Sequence, residues 1–466
     1  MSETEIRVEV GPIETRVARH GAGRLLEIEI HPLGERFVVG ALHLGRVRRV
    51  VPSLSAAFVE LGGGPDGFLP LGHGRRPAEG AAVLVQVTRP PSAEKGARLT
   101  TAATLVGHRL VLAPFADAVR LSPRLRDEGE RRRLEAWAGA AMAAHGFAFV
   151  VRSRAEGAKD AALAAEAEDL VARWRDIVAR AESGSAPMAL DLDDDVVRRV
   201  LREMPDGPVD IVIDDLDALA RARAWCTRHR PDALEGLGHH AARQALFEAH
   251  DIEAAILAAL APEVALPSGG RLIIEPTRAL VAIDVDSGTD GAEGGRGRTA
   301  RRVDLEAAVE IACQLRLRAI GGLIVVDFLK LDSRADRDAV IAAFDAARAE
   351  DPTPTRHGGF SPLGLVEIAR ARTRPSLSQM LLQPGTPDLT ARALAARMLR
   401  EVSRPEPGAT YASTTLRLVA APEVIAAIPD SDRVAVALGQ RLGRSIELVA
   451  EIGLARETWR LEAGGS

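Results

Sequence analysis

The 466-residue chain contains few cysteines, few lysines and few aromatic residues. Its two cysteines, Cys226 and Cys313, lack the spacing of metal ligands, which excludes a disulfide scaffold and favours a reducing compartment. No run approaches the roughly 20 apolar residues that a membrane-spanning helix needs. The N-terminal stretch "MSETEIRVEVGP" also lacks the apolar core of a secretion signal. These absences predict a cytoplasmic protein.

Lysine occurs only at Lys95, Lys159 and Lys330, so almost all of the positive charge is carried by arginine. Arginine binds phosphate through two parallel hydrogen bonds, which favours a nucleic-acid partner. A GC-rich genome enriches arginine as well, and the net charge of −5 does not by itself indicate nucleic-acid binding. Composition therefore leaves both explanations of the arginines open.

The chain is long enough for about three domains at roughly 100–200 residues each. Residues 5–60 alternate polar and apolar side chains, which indicates antiparallel strands. From about residue 128, alanine-rich amphipathic helices end at glycine. A β-turn-α-β-α succession begins at residue 271, and the linker "LLQPGTPDL" precedes a small α+β tail. The pattern predicts a multidomain protein of α/β and α+β class.

The stretch "RLIIEPTRALVAIDVDSG", residues 271–288, places acids in apolar β structure. Asp286 lies two positions after Asp284 and therefore on the same face of a strand. Asp327 follows four apolar residues in "LIVVDFLKL". Adjacent strands that each present an acid near their C-terminal end form a carboxylate pair, which attracts a hard cation such as Mg²⁺. The alternative is that these acids cap the following helices, and the residues alone leave both open.

Several further motifs, in one order, resemble the ribonuclease E/G family. They are "SAAFVELGGGPDGFLPL", "EKGARLTT", "VVRSRAEG", "LFEAHDIEAAI", "SGGRLIIEPTRALVAIDVDSG", "DLEAAVEIACQLRLRAIGGLIVVDF" and "LGLVEIARARTRPSL". The resemblance implies a Mg²⁺-dependent endoribonuclease that cleaves single-stranded RNA in RNA processing or decay and leaves a 5′-phosphate. Asp284 and Asp327 match the family's two metal-binding aspartates, and Asp286 is a candidate third ligand.

The resemblance also implies a division of the chain into subdomains. In chain order they are an RNase H-like first segment (1–34), an OB-fold RNA-binding module (35–101), a 5′-end sensor (102–197), the second RNase H-like segment (198–259), a deoxyribonuclease-I-like catalytic subdomain (260–381), a linker (382–395) and a small C-terminal domain (396–466).

Five residues are similar to the family's RNA contacts. Phe58 and Phe68 match phenylalanines that stack on bases, although a lone phenylalanine more often fills a core. Lys95 matches a lysine near the RNA backbone. Arg152 and Ser153, at the end of an apolar strand, match an Arg-Thr pair that holds the 5′-monophosphate, while a solvated turn is the alternative.

The sequence departs from the family in four places. Asp286 stands where an asparagine is usual, and Lys330 replaces an acid, so the two are expected to leave the local charge unchanged and to allow an ion pair. Pro354 takes the position of an arginine that grips the 5′-phosphate, so we expect little dependence on the RNA's 5′ end. Residues 379–390 contain no cysteine or histidine, so we expect no zinc, and a homodimer must be held by protein contacts. These departures keep a second function open, an RNA-binding paralogue with weak or no cleavage, acting in RNA processing or ribosome assembly.

Overall fold

The structure is a computed structural model that describes residues 4–21, 23–72, 76–91, 95–193, 195–204, 207–242, 244–288, 296–404 and 415–464. The chain divides into two compact units. The first unit comprises Met1–Leu33, Val209–Leu216 and Gly238–Ser466, and the second comprises Gly34–Pro208 and Asp217–Leu237.

The strands of the described residues are, in chain order, β1 (Glu5–Val10), β2 (Glu14–Gly21), β3 (Arg24–Pro32), β4 (Leu42–Val51), β5 (Ala56–Glu60), β6 (Gly67–Pro70), β7 (Ala82–Arg89), β8 (Arg98–Thr100), β9 (Leu105–Val106), β10 (Leu110–Ala113), β11 (Arg120–Leu121), β12 (Ala148–Val151), β13 (Met188–Asp191), β14 (Asp210–Ile213), β15 (Leu237–His239), β16 (Glu263–Ala265), β17 (Arg271–Pro276), β18 (Val281–Asp286), β19 (Gly322–Asp327), β20 (Thr355–Phe360), β21 (Leu365–Arg370), β22 (Thr415–Ala420), β23 (Ser445–Ala450) and β24 (Trp459–Ala463).

The α-helices of the same residues are α1 (Glu128–His145), α2 (Asp160–Ser183), α3 (Val196–Glu203), α4 (Leu216–His229), α5 (Ile252–Leu260), α6 (Arg296–Leu317), α7 (Arg334–Ala347), α8 (Leu377–Leu381), α9 (Ala391–Val402), α10 (Pro422–Ala426) and α11 (Ser431–Leu442). No helix in the described part of the chain combines the length and the apolar character that crossing a bilayer requires.

A six-stranded sheet in the first unit carries the acids that the sequence singles out. Its strand order is β16-β17-β18-β19-β21-β20, and β18 and β19 run parallel. Every second residue of the inner strands is buried in a core that includes residues of α6 and α7. The buried strand residues are Leu272, Ile274, Ile283, Val285, Ile324, Val326, Val366 and Ile368. The intervening residues therefore lie on the opposite face, and the acids belong to this second set.

The stretch 271–288 forms two strands rather than one apolar run. β17 and β18 pair antiparallel as a hairpin, with Thr277 accepting hydrogen bonds in the turn from the backbone N–H groups of Ala279 and Leu280. Within the apolar stretch "DIEAAILAALAPEVAL", α5 ends at Leu260 and Glu263–Ala265 pairs with β17. Pro262 does not allow the helix to continue.

The first unit also contains a five-stranded sheet in the order β15-β14-β1-β2-β3, with β1 parallel to β14 and antiparallel to β2. The C-terminal part of the same unit is a three-stranded sheet, β23-β22-β24, whose core includes residues of α9, α10 and α11. This agrees with the small α+β tail that the periodicity predicts.

In the second unit, five strands close into a barrel. The order β4-β5-β6-β8-β7 returns to β4 through a β4–β7 pairing. The barrel interior is filled by small and branched side chains such as Ala57, Val59 and Leu69. A closed five-stranded barrel is consistent with the predicted OB-fold. The same unit also contains a four-stranded sheet, β11-β12-β10-β9, which shares a core with α1 and α2.

Candidate functional site

Two acids meet at the end of the parallel strands. β18 and β19 are paired so that Asp284 lies directly opposite Asp327. Adjacent strands are about 4.8 Å apart, so the two side chains leave the same sheet face as close neighbours. Both residues are exposed, while Ile283 and Val326 beside them are buried. Two like charges held this close favour a cation between them.

Neither acid is neutralised by an ion pair in the part of the chain that the structure describes. Within the described residues, Asp284 and Asp327 form no ion pair, although neighbouring Asp286 does. Mg²⁺ typically takes one or two protein carboxylates and completes its shell with water and phosphate oxygens. Two exposed, unpaired carboxylates in register fit that pattern. In the described part of the chain, no group of three carboxylate, imidazole or thiol side chains converges as a closed metal cage would.

Asp286 binds Arg271, and not Lys330 as the sequence predicts. Its Oδ2 accepts hydrogen bonds from Arg271 Nε at 3.0 Å and Nη2 at 2.8 Å, and its Oδ1 accepts one from the Gly288 N–H at 3.0 Å. These two donors, the Gly288 N–H and then Arg271, lower the pKa of Asp286. Lys330 is exposed and takes part in no ion pair among the described residues. The expected pair with Lys330 is therefore replaced by one with Arg271, and the ligand role of Asp286 stays a prediction.

The segment that follows Asp327 is held by a buried acid. Asp304 of α6 is fully buried, and its Oδ1 accepts a hydrogen bond from the Leu329 N–H at 3.0 Å. Its Oδ2 has no hydrogen-bond partner. Phe328 and Leu331 on either side pack into the core of this sheet. The chain direction just beyond Asp327 is thus fixed by three inward-facing anchors.

The predicted RNA-stacking residues lie on the outside of the barrel. Phe58 and Phe68 are half-buried, sit opposite each other on β5 and β6, and their rings meet edge to face at 6.0 Å between centroids. Neither belongs to the barrel core, which is built from the residues that alternate with them. The guanidinium of Arg49 lies 5.2 Å from the centre of the Phe58 ring. This aromatic surface offers faces for bases and a positive charge for phosphate.

Lys95 lies in the loop before β8, close to this aromatic surface. It is exposed, and Gly96 next to it packs so tightly on the Asp66 carbonyl that a Cβ there would lie 1.9 Å from the oxygen. Two residues on, Ala97 accepts a hydrogen bond from the Phe68 N–H at 2.7 Å. The loop is therefore fixed against the strand that carries Phe68.

Arg152 and Ser153 directly follow β12, as the sequence predicts, but the arginine already has partners within the protein. Its Nη1 donates to the Gly107 carbonyl at 2.7 Å, and its Nη2 contacts Glu203 Oε2 at 2.8 Å. Burial acts to raise the pKa of Glu203, and Arg152, followed by Arg202 and Arg154, lowers it overall. A half-exposed ion pair is worth only about 0–1 kcal/mol, so a phosphate can compete with this carboxylate. The 5′-phosphate role of both residues stays a prediction.

Sequence reasoning missed Arg271, Arg49 and Glu203 as parts of these surfaces. Arg271 and Asp286 are 15 residues apart and become neighbours only through strand register. Arg49 reaches Phe58 across a strand pair in the same way. The one signal available in the sequence for Arg49 is the arginine pair Arg48-Arg49 inside β4, which is not specific.

Comparison with known proteins agrees with the motifs. The profile of the Ribonuclease E/G family matches residues 104–373. The chain is 39% identical over 361 residues to a ribonuclease E of Nostoc sp., covering 73% of this chain and 52% of that protein. It is 34% identical over 399 residues to ribonuclease G of Escherichia coli (strain K12), covering 81% of each. It is 32% identical over 403 residues to ribonuclease G of Haemophilus influenzae, covering 82% of each.

The chain thus spans about half the length of the Nostoc relative and about four-fifths of the length of the two ribonuclease G relatives. The resemblance seen in the motifs is confirmed, and the profile match covers more than half of the sequence. The chain belongs to the ribonuclease E/G family.

Proposed function

We propose that this chain is an endoribonuclease that hydrolyses single-stranded RNA with Mg²⁺ held by Asp284 and Asp327. The observation that carries the proposal is the register of β18 and β19, which brings together two exposed carboxylates that form no ion pair with any described residue. Relatives named ribonuclease E and ribonuclease G support RNA as the substrate. Cytoplasmic RNA processing or decay is the corresponding role.

Different residues of the chain bind the RNA and bind the cation that acts on its backbone. Phe58 and Phe68 stack on bases, Arg49 and Lys95 neutralise phosphates, and the two acids hold the cation. When bound, the divalent cation supplies a Lewis acid that polarises the phosphodiester and lowers the pKa of water. Water attacks the phosphorus, the bond to the 3′ oxygen breaks, and the products carry a 5′-phosphate and a 3′-hydroxyl.

We extend the proposal to the subdomains that the resemblance implies. The sheet with two adjacent acid-bearing strand ends is assigned to a deoxyribonuclease-I-like subdomain, and the sheet β15-β14-β1-β2-β3 to an RNase H-like subdomain. We assign the four-stranded sheet that carries Arg152 and Ser153 to the 5′-end sensor, with Glu203 as the group that a 5′-phosphate must displace.

The second candidate function is an RNA-binding paralogue with weak or no cleavage. Two observations favour it: Asp286 is bound to Arg271, and Arg152 is bound to Glu203, so both predicted ligand groups are engaged within the protein. The two functions share the aromatic surface and differ in hydrolysis.

A cleavage assay with purified protein separates them. The substrate is a 5′-monophosphorylated single-stranded RNA, incubated with Mg²⁺ or with EDTA. We expect cleavage in Mg²⁺ only, and we expect Asp284→Asn and Asp327→Asn each to abolish it while RNA affinity is kept, because each amide removes one charged cation ligand.

The matched control is Glu275→Gln. Glu275 is an exposed acid on the same sheet face, at the far end of the hairpin, where it pairs with Ala282. This variant should cleave at the wild-type rate. Wild-type rates in either aspartate variant would rule out the proposed site, and RNA binding without cleavage by the wild type would favour the paralogue.

A further inference from the structure

We propose that Arg271 sets the charge of the candidate metal site by neutralising Asp286, so that the divalent cation meets two free carboxylates instead of three. This inference rests on the proposed function and adds a residue to it that determines how the site binds its cation. Arg271 touches neither proposed ligand, so its role is positioning and charge compensation.

The geometry reserves Asp286 for the arginine. Arg271 opens β17 and Asp286 closes β18, and the antiparallel register places them directly opposite each other. Two donor nitrogens of Arg271, Nε and Nη2, bind one carboxylate oxygen of Asp286, and the Gly288 N–H donates to the other. No oxygen of Asp286 is left without a donor.

Arg271 is itself held from two sides. Its Nη1 lies 3.5 Å from Glu263 Oε2 on β16, on the side of the arginine away from Asp286. The guanidinium therefore lies in a row of acids that crosses the sheet from Glu263 to Asp327. Because a strand alternates its faces, Asp284 shares the face of Asp286 and feels the same positive charge.

The charge count explains why the chain tolerates an aspartate at position 286. An asparagine there is neutral, and an aspartate paired with arginine is neutral as a unit. The second carboxylate on Arg271, Glu263, is 60% exposed, so solvent screens its charge. Two carboxylates and one divalent cation sum to zero, which leaves the cation open to an anionic phosphodiester. A third free carboxylate would bring the site to −1, bind the cation more tightly and repel RNA.

The test measures Mn²⁺ binding in the absence of RNA by isothermal titration calorimetry. The variants are Arg271→Gln, Asp286→Asn and the double variant. All three change exposed or half-buried side chains at a hairpin end, so circular dichroism should match the wild type. We expect Arg271→Gln to bind Mn²⁺ about tenfold more tightly, because one uncompensated charge acts on a divalent ion at close range.

The other two variants complete a double-mutant cycle of Arg271 and Asp286. Asp286→Asn leaves Arg271 with the exposed Glu263 as its only acid and adds positive charge beside the site, so it should weaken Mn²⁺ binding several-fold. The double variant should return to within about threefold of the wild type, because the site again carries two free carboxylates. In cleavage assays, Arg271→Gln should raise the KM for RNA several-fold, and the double variant should restore it.

Arg278→Gln is the matched control. Arg278 is an exposed arginine in the turn of the same hairpin, at its opposite end from Arg271. Its loss should leave Mn²⁺ affinity and the KM for RNA unchanged. Equal effects of Arg271→Gln and Arg278→Gln would overturn the proposal, since they would report only the loss of one positive charge from the surface.

Failure of this inference differs from failure of the proposed function. Unchanged Mn²⁺ affinity in Arg271→Gln, with wild-type binding that Asp284→Asn abolishes, would overturn the charge role and leave the metal site standing. A double variant that stays as altered as Arg271→Gln would overturn it as well. A wild type that binds Mn²⁺ but cleaves no RNA would contradict the proposed enzyme, while the binding cycle would still decide the role of Arg271.

Discussion

The surroundings of each acid, rather than its place in the sequence, decide what it does. Asp284 and Asp327 are exposed and form no ion pair with any described residue, Asp286 is bound to arginine, and Asp304 is fully buried. Four carboxylates of one local region thus carry three different electrostatic roles. The first pair is open to a cation as it stands, whereas Asp286 already binds Arg271 and Asp304 is inaccessible to solvent.

Asp304 should make stability depend on pH. Burial raises the pKa of Asp304 to about 7, while the hydrogen bond from the Leu329 N–H acts to lower it. An unfolded aspartate titrates near about 3.9, so the folded state binds this proton more tightly. The stability contributed by this group is present below about pH 4, falls as pH rises to about 7 and is level above that value.

Asp304→Asn should abolish this loss of stability at high pH, because the amide never ionises. Its oxygen still accepts the hydrogen bond from the Leu329 N–H. At pH 8 the variant should have a free energy of unfolding higher than that of the wild type by a few kcal/mol at most, and therefore a higher melting temperature. This gap should shrink toward pH 5. Asp332→Asn, an exposed acid of the same connection, controls for the loss of one charge. A gap that is the same at pH 5 and pH 8 would refute the prediction.

At the scale of secondary-structure elements, the periodicity of the sequence predicts which face of a helix or strand is buried. Strand register determines which residues of different strands become neighbours. The alternation of apolar residues correctly marked strands, and the helices α6, α7 and α9 follow their amphipathic patterns. The carboxylate pair was also predictable, because each acid ends an apolar strand. The Asp286 partner was not, since Lys330 is closer to the acids in the motif while Arg271 is closer in the sheet. Long-range pairing is set by the whole sheet, which no local pattern encodes.

The two outward rings of the barrel should bind RNA rather than stabilise the fold. We expect Phe58→Ala and Phe68→Ala each to weaken single-stranded RNA binding by ~1–3 kcal/mol, because each ring offers one stacking face. Fluorescence anisotropy of a labelled oligonucleotide in EDTA measures affinity without cleavage. Melting temperatures should change little, since neither ring contributes to the barrel core.

Phe37→Leu is the control for this surface. Phe37 packs against the barrel core and stacks on His43 at 5.6 Å between ring centroids. Its shortening should lower the melting temperature and leave RNA affinity intact. If Phe58→Ala instead melts as Phe37→Leu does and binds RNA normally, the ring belongs to the core and the stacking role is wrong.

At the scale of the molecule, distant parts of the sequence are joined by a buried ionic cluster in the first unit. Glu9 of β1 is 2% exposed and is bound by Arg16 of β2, with Arg404 Nη1 at 3.3 Å. Arg404 Nη2 also contacts Asp214 at 2.6 Å, just beyond β14. Burial acts to raise the pKa of Glu9, and Arg16, followed by Arg400 and Arg404, lowers it overall. Arg404, which follows α9, therefore helps to neutralise the acids of the N-terminal sheet.

Arg404→Met should destabilise the first unit by about 3 kcal/mol, because it leaves two buried carboxylates short of positive charge, and breaking a buried pair costs about 3–5 kcal/mol. Arg397→Met is the control on the same side of the linker: Arg397 contacts Glu401 at 2.9 Å with both side chains about half exposed, and such a pair is worth about 0.3–0.5 kcal/mol. Differential scanning calorimetry should show a large drop in melting temperature for the first variant and almost none for the second.

Adding Asp214→Asn to Arg404→Met should recover part of the lost stability, since it removes one of the two carboxylates left without Arg404. Equal melting temperatures for the two methionine variants would mean that Glu9 and Asp214 are compensated without Arg404, and that the C-terminal segment is not needed to neutralise the N-terminal sheet.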